Sequence, residues 1–140
     1  MRITQYLERR STASVDIFDL TEDLRKLVTE SGIAEGEMLV FVPGSTAALT
    51  TIEYEPGVLE DLKAALERMA PAHMRYAHDA AWGDGNGFSH VRAALVGPSL
   101  VVPIAGGHPI LGTWQQVVLL DFDNRARHRR ILVRLIGEAE

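Results

Sequence analysis

The segment from Tyr76 to His90 concentrates side chains that can bind a metal ion or transfer protons. It contains two imidazoles, His78 and His90, and two carboxylates, Asp79 and Asp84, around three glycines. Glycines add no side chain to a core, so polar groups concentrated among them are typical of a site held by a loop. The alternative is a solvated turn, because Asp-Gly and Asn-Gly are common turn dipeptides.

The metal-ligand candidates in this segment are His78, Asp84 and His90. Two imidazoles and a carboxylate are sufficient for a catalytic zinc-type site with one position open for water or substrate. The histidines match no short metal-binding motif, so two structural histidines held by hydrogen bonds are the competing interpretation. The prediction is one divalent cation (zinc, magnesium or manganese) at these residues, which would also serve in catalysis.

A second group of polar side chains suits an anionic ligand such as a phosphate. Hydroxyls and turn amides near Gly44 can surround phosphate oxygens, and Arg92 can make a bidentate charge-assisted contact. The strand preference of threonine is the competing explanation for Thr46 and Thr113 taken singly. The residues predicted to bind such a ligand are Ser45, Thr46, Arg92, Thr113 and Gln115.

Glu53 is a separate catalytic candidate. A strand predicted over 46–54 places it on the same face as Ala47, Leu49 and Thr51. A lone carboxylate on a partly apolar face is costly unless it is paired or bound to a cation. Glu53 is therefore predicted to act as a base or a ligand, with an ion pair to an arginine as the alternative.

Composition limits the classes of protein to consider. The 140 residues predict one domain, 1–140, and the net charge of −5 argues against nonspecific nucleic-acid binding. No segment approaches the roughly 20 apolar residues of a membrane span, and we expect a cytoplasmic protein without a membrane partner. The absence of cysteine excludes disulfides and thiol nucleophiles, which leaves histidine and carboxylate as metal ligands.

The predicted elements position these groups in an α+β fold. Thr21 is the predicted N-cap of a first long helix that ends at Ser31-Gly32, and a second carries Leu59 to Met69. A short helix is expected from Ser89 to Val96, after the glycine-rich loop. Trp114 is predicted to lie in the core. Strands are predicted over 2–9, 15–18, 38–42, 46–54, 100–104, 110–122 and 129–136, forming a mixed, largely antiparallel sheet.

Several blocks of the sequence resemble the YjbQ-like family, also named secondary thiamine-phosphate synthase. The blocks are 41–48, 84–99, 102–103, 111–116 and 121–125, in the family's order and spacing. The resemblance implies a single mixed α+β domain and a homotrimer. It also implies functional roles at the family's polar motif positions, which are Ser45, Thr46, Glu53, His78, Asp84, Asn86, His90, Arg92, Thr113 and Gln115.

The family name implies an enzyme that joins an aminopyrimidine diphosphate to a thiazole phosphate. A metal-assisted enzyme acting on another small phosphorylated compound would use the same residues. The alternatives are a trimeric small-molecule or metal-binding protein without turnover, and a structural assembly protein. One departure bears on activity, because many relatives carry a histidine where this chain has Gly44.

Overall fold

A computed structural model describes residues 1–140, and the α+β prediction is confirmed. Eight strands and four helices make up the chain. In order they are β1 (Arg2–Arg10), β2 (Asp16–Asp19), α1 (Thr21–Ser31), β3 (Glu35–Phe41), β4 (Ala47–Ile52), α2 (Pro56–Met69), α3 (Ala77–Trp82), α4 (Gly87–Val96), β5 (Ser99–Ala105), β6 (His108–Pro109), β7 (Gln116–Asp121) and β8 (His128–Glu138).

The strands divide into two antiparallel sheets. The larger has the order β1-β8-β3-β5-β6 and the smaller has the order β2-β7-β4. Strand β8 alternates buried and more exposed residues, and Ile131, Val133 and Leu135 face the smaller sheet. Their burial between the sheets removes apolar surface from water, which is the main stabilising contribution to this core.

Strand β7 is buried on both of its faces. Val117 and Leu119 belong to the core between the sheets, whereas Val118 and Leu120 belong to a second core beneath α2 and α4. The fold therefore has three layers, with the larger sheet, the smaller sheet and the helices α2 and α4 stacked in that order. A strand that is covered on both faces has a sequence of consecutive apolar residues, and residues 117–120 of β7 are such a run.

At the starts of α1 and α2, the two longest helices, a carboxylate accepts hydrogen bonds from backbone N–H groups. Asp19 accepts a hydrogen bond from the Thr21 N–H (3.0 Å), and the Thr21 hydroxyl instead accepts one from the Val117 N–H (2.9 Å). The prediction of Thr21 as N-cap was therefore wrong. Glu55 caps α2, and hydrogen bonds from the backbone N–H groups of Gly57 and Val58 lower its pKa. None of the four helices combines the length and the apolar composition needed to cross a bilayer.

The structure also corrects the predictions for the site segment and for residues 110–122. Residues 77–82 form the helix α3 where a loop was expected, and α4 begins at Gly87 rather than at Ser89. The long strand predicted over 110–122 starts only at Gln116, because a turn closes through hydrogen bonds between Gly112 and Gln115. Trp114 lies on that turn and is 71% exposed, so its assignment to the core was wrong.

Candidate functional site

Two short helices and the turn between them bring the glycine-rich segment into one cluster. His78 and Asp79 lie in the first turn of α3, which ends at Gly83 in the left-handed conformation (φ 68°). The chain then reverses through Asp84 and enters α4. A Cβ atom at Gly87 would lie 2.6 Å from the Cβ of Tyr76, so only glycine permits this close packing of α4 against the start of α3.

Three ligand atoms converge in this cluster. The His78 Nδ1 lies 3.7 Å from Asp79 Oδ1 and 3.5 Å from Asp84 Oδ1, and one ligand atom from each residue lies within 4.8 Å of the other two. Ligands about 2.1 Å from a shared tetrahedral ion would be about 3.4 Å apart, so the two shorter separations suit a common cation. The His78 Nδ1 is itself buried and has no hydrogen-bond partner.

His90 lies beside this group but is not one of the three convergent ligands. Its ring centroid is 4.5 Å from that of His78, with the planes tilted by 44°. Sequence reasoning therefore identified His78 and Asp84 but missed Asp79. The position of Asp79 directly after His78 could have indicated it, because two adjacent residues in the first turn of a helix can both face the loop that follows that helix.

The carboxylates are held in place by the backbone of the following turn. Asp79 Oδ1 accepts a hydrogen bond from the Gly87 N–H (2.9 Å), and Asp84 Oδ1 accepts one from the Asn86 N–H (3.2 Å). The side-chain amide of Asn124 donates to the backbone carbonyl of Asp84 (2.9 Å), and the backbone N–H of Asn124 donates to the side-chain oxygen of Asn86 (3.2 Å). Asn86, predicted as a ligand-binding residue, is buried and connects this turn to the loop before β8.

Arg92 is directed into the protein. Its guanidinium donates to the Ala70 carbonyl (3.0 Å) and to Glu67 (2.6 Å), and it lies 4.9 Å from the centre of the Phe88 ring. These contacts join α4 to the end of α2. The structure therefore does not place the predicted phosphate contact of Arg92 at the His78 cluster.

Ser45 and Thr46 lie next to a different group. Ser45 is exposed, whereas Thr46 is buried and its hydroxyl donates to Asp123 (2.9 Å) and accepts from Arg129 (2.7 Å). The Arg129 guanidinium also pairs with Asp121 at 2.7 Å. We call Thr46, Asp121, Asp123 and Arg129 the buried polar network.

The buried polar network also limits the space for a side chain at position 44. The φ of Gly44 is +122°, and a Cβ atom there would lie 3.0 Å from a terminal nitrogen of Arg129. A larger residue at position 44 would therefore require Arg129 to move. Of the five arginines between residues 125 and 134, Arg129 is the buried one.

Asp123 makes the buried polar network sensitive to acid. Burial opposes ionisation of Asp123, but hydrogen bonds from Thr46, the Arg125 backbone and Arg127 outweigh this effect and lower its pKa. A lowered pKa in the folded state contributes stability above the ordinary pKa of about 3.9, and this contribution is lost as pH falls through the folded-state value.

We therefore expect the Asp123→Asn variant to lose less stability than the wild type as the pH is lowered from 5 to 2. Urea denaturation at a series of pH values in this range measures the effect. The Asp61→Asn variant, which changes an exposed carboxylate without an ion pair, is the control and should follow the wild-type slope. Parallel slopes for Asp123→Asn and the wild type would contradict the prediction.

Three other predicted residues lie outside the His78 cluster. Glu53 follows the last residue of β4 and is exposed, so it does not share the buried face of Ala47 and Leu49 as predicted. Thr113 is exposed on the turn before β7, and Gln115 donates to the Thr51 hydroxyl (3.2 Å). Gln115 and Glu53 line separate clefts, and neither cleft includes a residue of the cluster.

The cleft that does adjoin the cluster has a volume of about 600 Å³. It is lined by residues 72–75, which connect α2 to α3, and by Asp79, Gly85, Phe88 and Asn124. This volume is within the usual range of about 300–1,000 Å³ for small-molecule sites.

The chain is similar in sequence to other proteins over most of its length. A sequence profile of the family described as "UPF0047 protein YjbQ-like" matches residues 5–138. The chain is 43% identical over 122 residues to a UPF0047 protein of Mycobacterium tuberculosis, covering 86% of this chain and 92% of that protein. It is 36% identical over 130 residues to a UPF0047 protein of Archaeoglobus fulgidus, covering 93% and 98% of the two chains.

Solved structures show the same architecture. A YbjQ-like protein of unknown function from Sulfolobus solfataricus superposes with a TM-score of 0.88 at 28% identity, covering 99% of this chain and 100% of that one. An uncharacterised conserved protein from Clostridium acetobutylicum gives a TM-score of 0.83 at 33% identity, covering 96% and 99%. The structural similarity therefore extends over nearly the whole chain.

Proposed function

This chain belongs to the YjbQ-like UPF0047 family, and from that premise we propose a function for the cluster in its own structure. We propose that His78, Asp79 and Asp84 hold one divalent cation (zinc, magnesium or manganese). The protein then acts as a metal-assisted enzyme on a small phosphorylated compound.

The observation that carries this proposal is the environment of the His78 Nδ1. It is buried without a hydrogen-bond partner and faces two carboxylate oxygens, 3.5 and 3.7 Å away. A buried polar atom without a partner costs about 1–3 kcal/mol. A cation bound by this nitrogen and by both carboxylates would satisfy the atom and offset the repulsion between the two negative charges.

Such a site would have the chemistry that phosphoryl compounds require. Three protein ligands leave a coordination position for water or for a substrate oxygen. A cation held by these ligands would polarise a phosphoryl oxygen bound at the open position or stabilise the charge on a leaving diphosphate, as the reaction in the family's synthase name requires. His90, whose ring centroid is 4.5 Å from that of His78, is the neighbouring group that we assign to proton transfer.

The same geometry favours an enzyme over a metal-binding protein without turnover. A purely structural site is closed by four protein ligands, whereas only three ligand atoms converge here. The adjacent imidazole of His90 supplies a group for acid–base chemistry that a storage or structural site does not need. Glu53, exposed and outside the cluster, has no part in this proposal.

Calorimetric titration of the metal-free protein with Zn²⁺ and Mn²⁺ tests the metal site. We expect one cation to bind per chain. Binding of neither cation at millimolar concentration would contradict the proposal. Saturation far above one cation per chain would do the same, since it would indicate nonspecific association with surface carboxylates.

The homotrimer is a separate proposal that does not enter the argument for the metal site. It is supported by the outer face of the larger sheet, where Tyr6 of β1, Ile136 of β8 and Val101 of β5 are exposed. Apolar side chains grouped on an uncovered sheet face are typical of contact surfaces. We propose that copies of the chain associate through this face.

A further inference from the structure

We infer that the cleft beside Asp79 binds the anionic group of the substrate, with Arg75 as its principal contact. This inference rests on the proposed function, because it assigns the substrate class of the same metal site. The ligand we assign is a small phosphorylated compound that carries an apolar portion.

The position of the cleft brings its contents to the metal ligands. Asp79 is both a wall residue of the cleft and one of the three convergent ligands. Gly85, which also lines the cleft, directly follows the ligand Asp84. A molecule seated here therefore lies next to a cation held by the cluster.

The charges at the cleft favour an anion. Arg75 is exposed and its guanidinium makes no hydrogen bond or ion pair, in contrast to Arg92 and Arg129, which are fully engaged with protein groups. His73, exposed two residues earlier, adds two ring nitrogens that also have no protein partner. Once a cation offsets the charge of Asp79, an unpaired guanidinium is the dominant charge, and its planar fork matches phosphate oxygens.

The remaining wall residues specify the rest of the ligand. Phe88 and Ala72 line the cleft, and Met74, half-exposed, lies between His73 and Arg75 in the same wall. These side chains suit an apolar group attached to the phosphate. A nucleic acid is a poor fit, because the chain carries a net charge of −5 and its C-terminal arginines are not in this cleft.

The test uses phosphate and phenyl phosphate as probes of the intact protein, titrated calorimetrically with and without saturating Mn²⁺. We expect the Mn²⁺-loaded wild type to bind phenyl phosphate several-fold more tightly than phosphate. Arg75→Ala should weaken binding of both probes at least 10-fold with unchanged Mn²⁺ affinity, which also shows that the variant is folded. The matched control is Arg10→Ala, which removes an exposed arginine without side-chain contacts on β1 and should bind both probes as the wild type does.

Each outcome separates this inference from the proposed function. Binding of Mn²⁺ with probe affinities that are equal in Arg75→Ala and the wild type would overturn the inference and leave the metal site standing. Absence of Mn²⁺ binding together with Arg75-dependent phosphate binding would overturn the metal proposal and support the anion cleft. Equal affinity for phosphate and phenyl phosphate would overturn the assignment of an apolar portion to the substrate.

Discussion

Replacing Arg129 with alanine is expected to lower the free energy of unfolding by about 3–5 kcal/mol. Arg129 is the shared partner in the buried polar network, where it donates to Asp121 at 2.7 Å and to Thr46 at 2.7 Å and lies 3.9 Å from Asp123. The side chains of both aspartates are only 1% exposed. Removal of the guanidinium therefore leaves Asp121 as a buried carboxylate without a cation.

The adjacent residue provides a matched control for this prediction. Arg130 points to the other face of β8, is 58% exposed, and contacts Glu8 at 3.9 Å and the ring of Tyr6 at 4.1 Å. We expect Arg130→Ala to cost about 0–1 kcal/mol, as exposed ion pairs do. Urea denaturation of both variants at pH 7 measures the difference. Equal losses in the two variants would show that the buried polar network does not stabilise the fold in this way.

Arg129 and Arg92 also show where sequence reasoning ends. The sequence predicts that Arg129 lies on a strand and Arg92 on a helix. The partners that determine their roles lie far away in the chain, such as Thr46 for Arg129 and Glu67 for Arg92. A periodic pattern reports which face of an element a residue occupies and not what lies opposite. The sequence therefore predicted an arginine available to phosphate at position 92, and the structure shows one held by α2.

The secondary structure was predictable where a periodic apolar pattern meets a core. Alternate residues of β8 are buried, and Leu24 of α1 and Leu66 of α2 lie in the cores, because these residues face the layer against which each element packs. Met69, at the end of the apolar pattern predicted for α2, is exposed. Helix α3 has no buried residue, so no apolar pattern could indicate it. Trp114 was assigned to the core by extending the alternation of β7 backward across a turn, where alternation no longer has a structural meaning.

The candidate site was partly predictable for a related reason. Proximity in sequence and chemical type were enough to select His78 and Asp84, which lie together in the fold. Selecting Asp79 required the helical turn of α3, and placing His90 outside the convergent ligands required the start of α4. The separate roles we assign to the two histidines therefore depend on local backbone geometry rather than on composition.

Replacing His78 with alanine is expected to lower the affinity for a divalent cation by more than about 100-fold, whereas His90→Ala should lower it by no more than about 10-fold. His78 supplies the nitrogen that faces both carboxylates, at 3.5 and 3.7 Å. His90 contacts the ring of His78 and contributes no convergent ligand atom. It can therefore orient His78 or transfer a proton, and its loss should affect turnover more than metal binding.

Calorimetric titration with Zn²⁺ measures the two affinities, and His108→Ala is the matched control because it removes an exposed histidine without a protein partner. Thermal unfolding of each metal-free variant shows that the fold is intact, since a half-buried histidine at the start of a short helix contributes little to either core. Equal losses in His78→Ala and His90→Ala would assign both imidazoles to the cation, as the sequence alone predicted. Retention of wild-type affinity in His78→Ala would remove the metal site, because the two remaining carboxylates cannot then be distinguished from any exposed acidic pair.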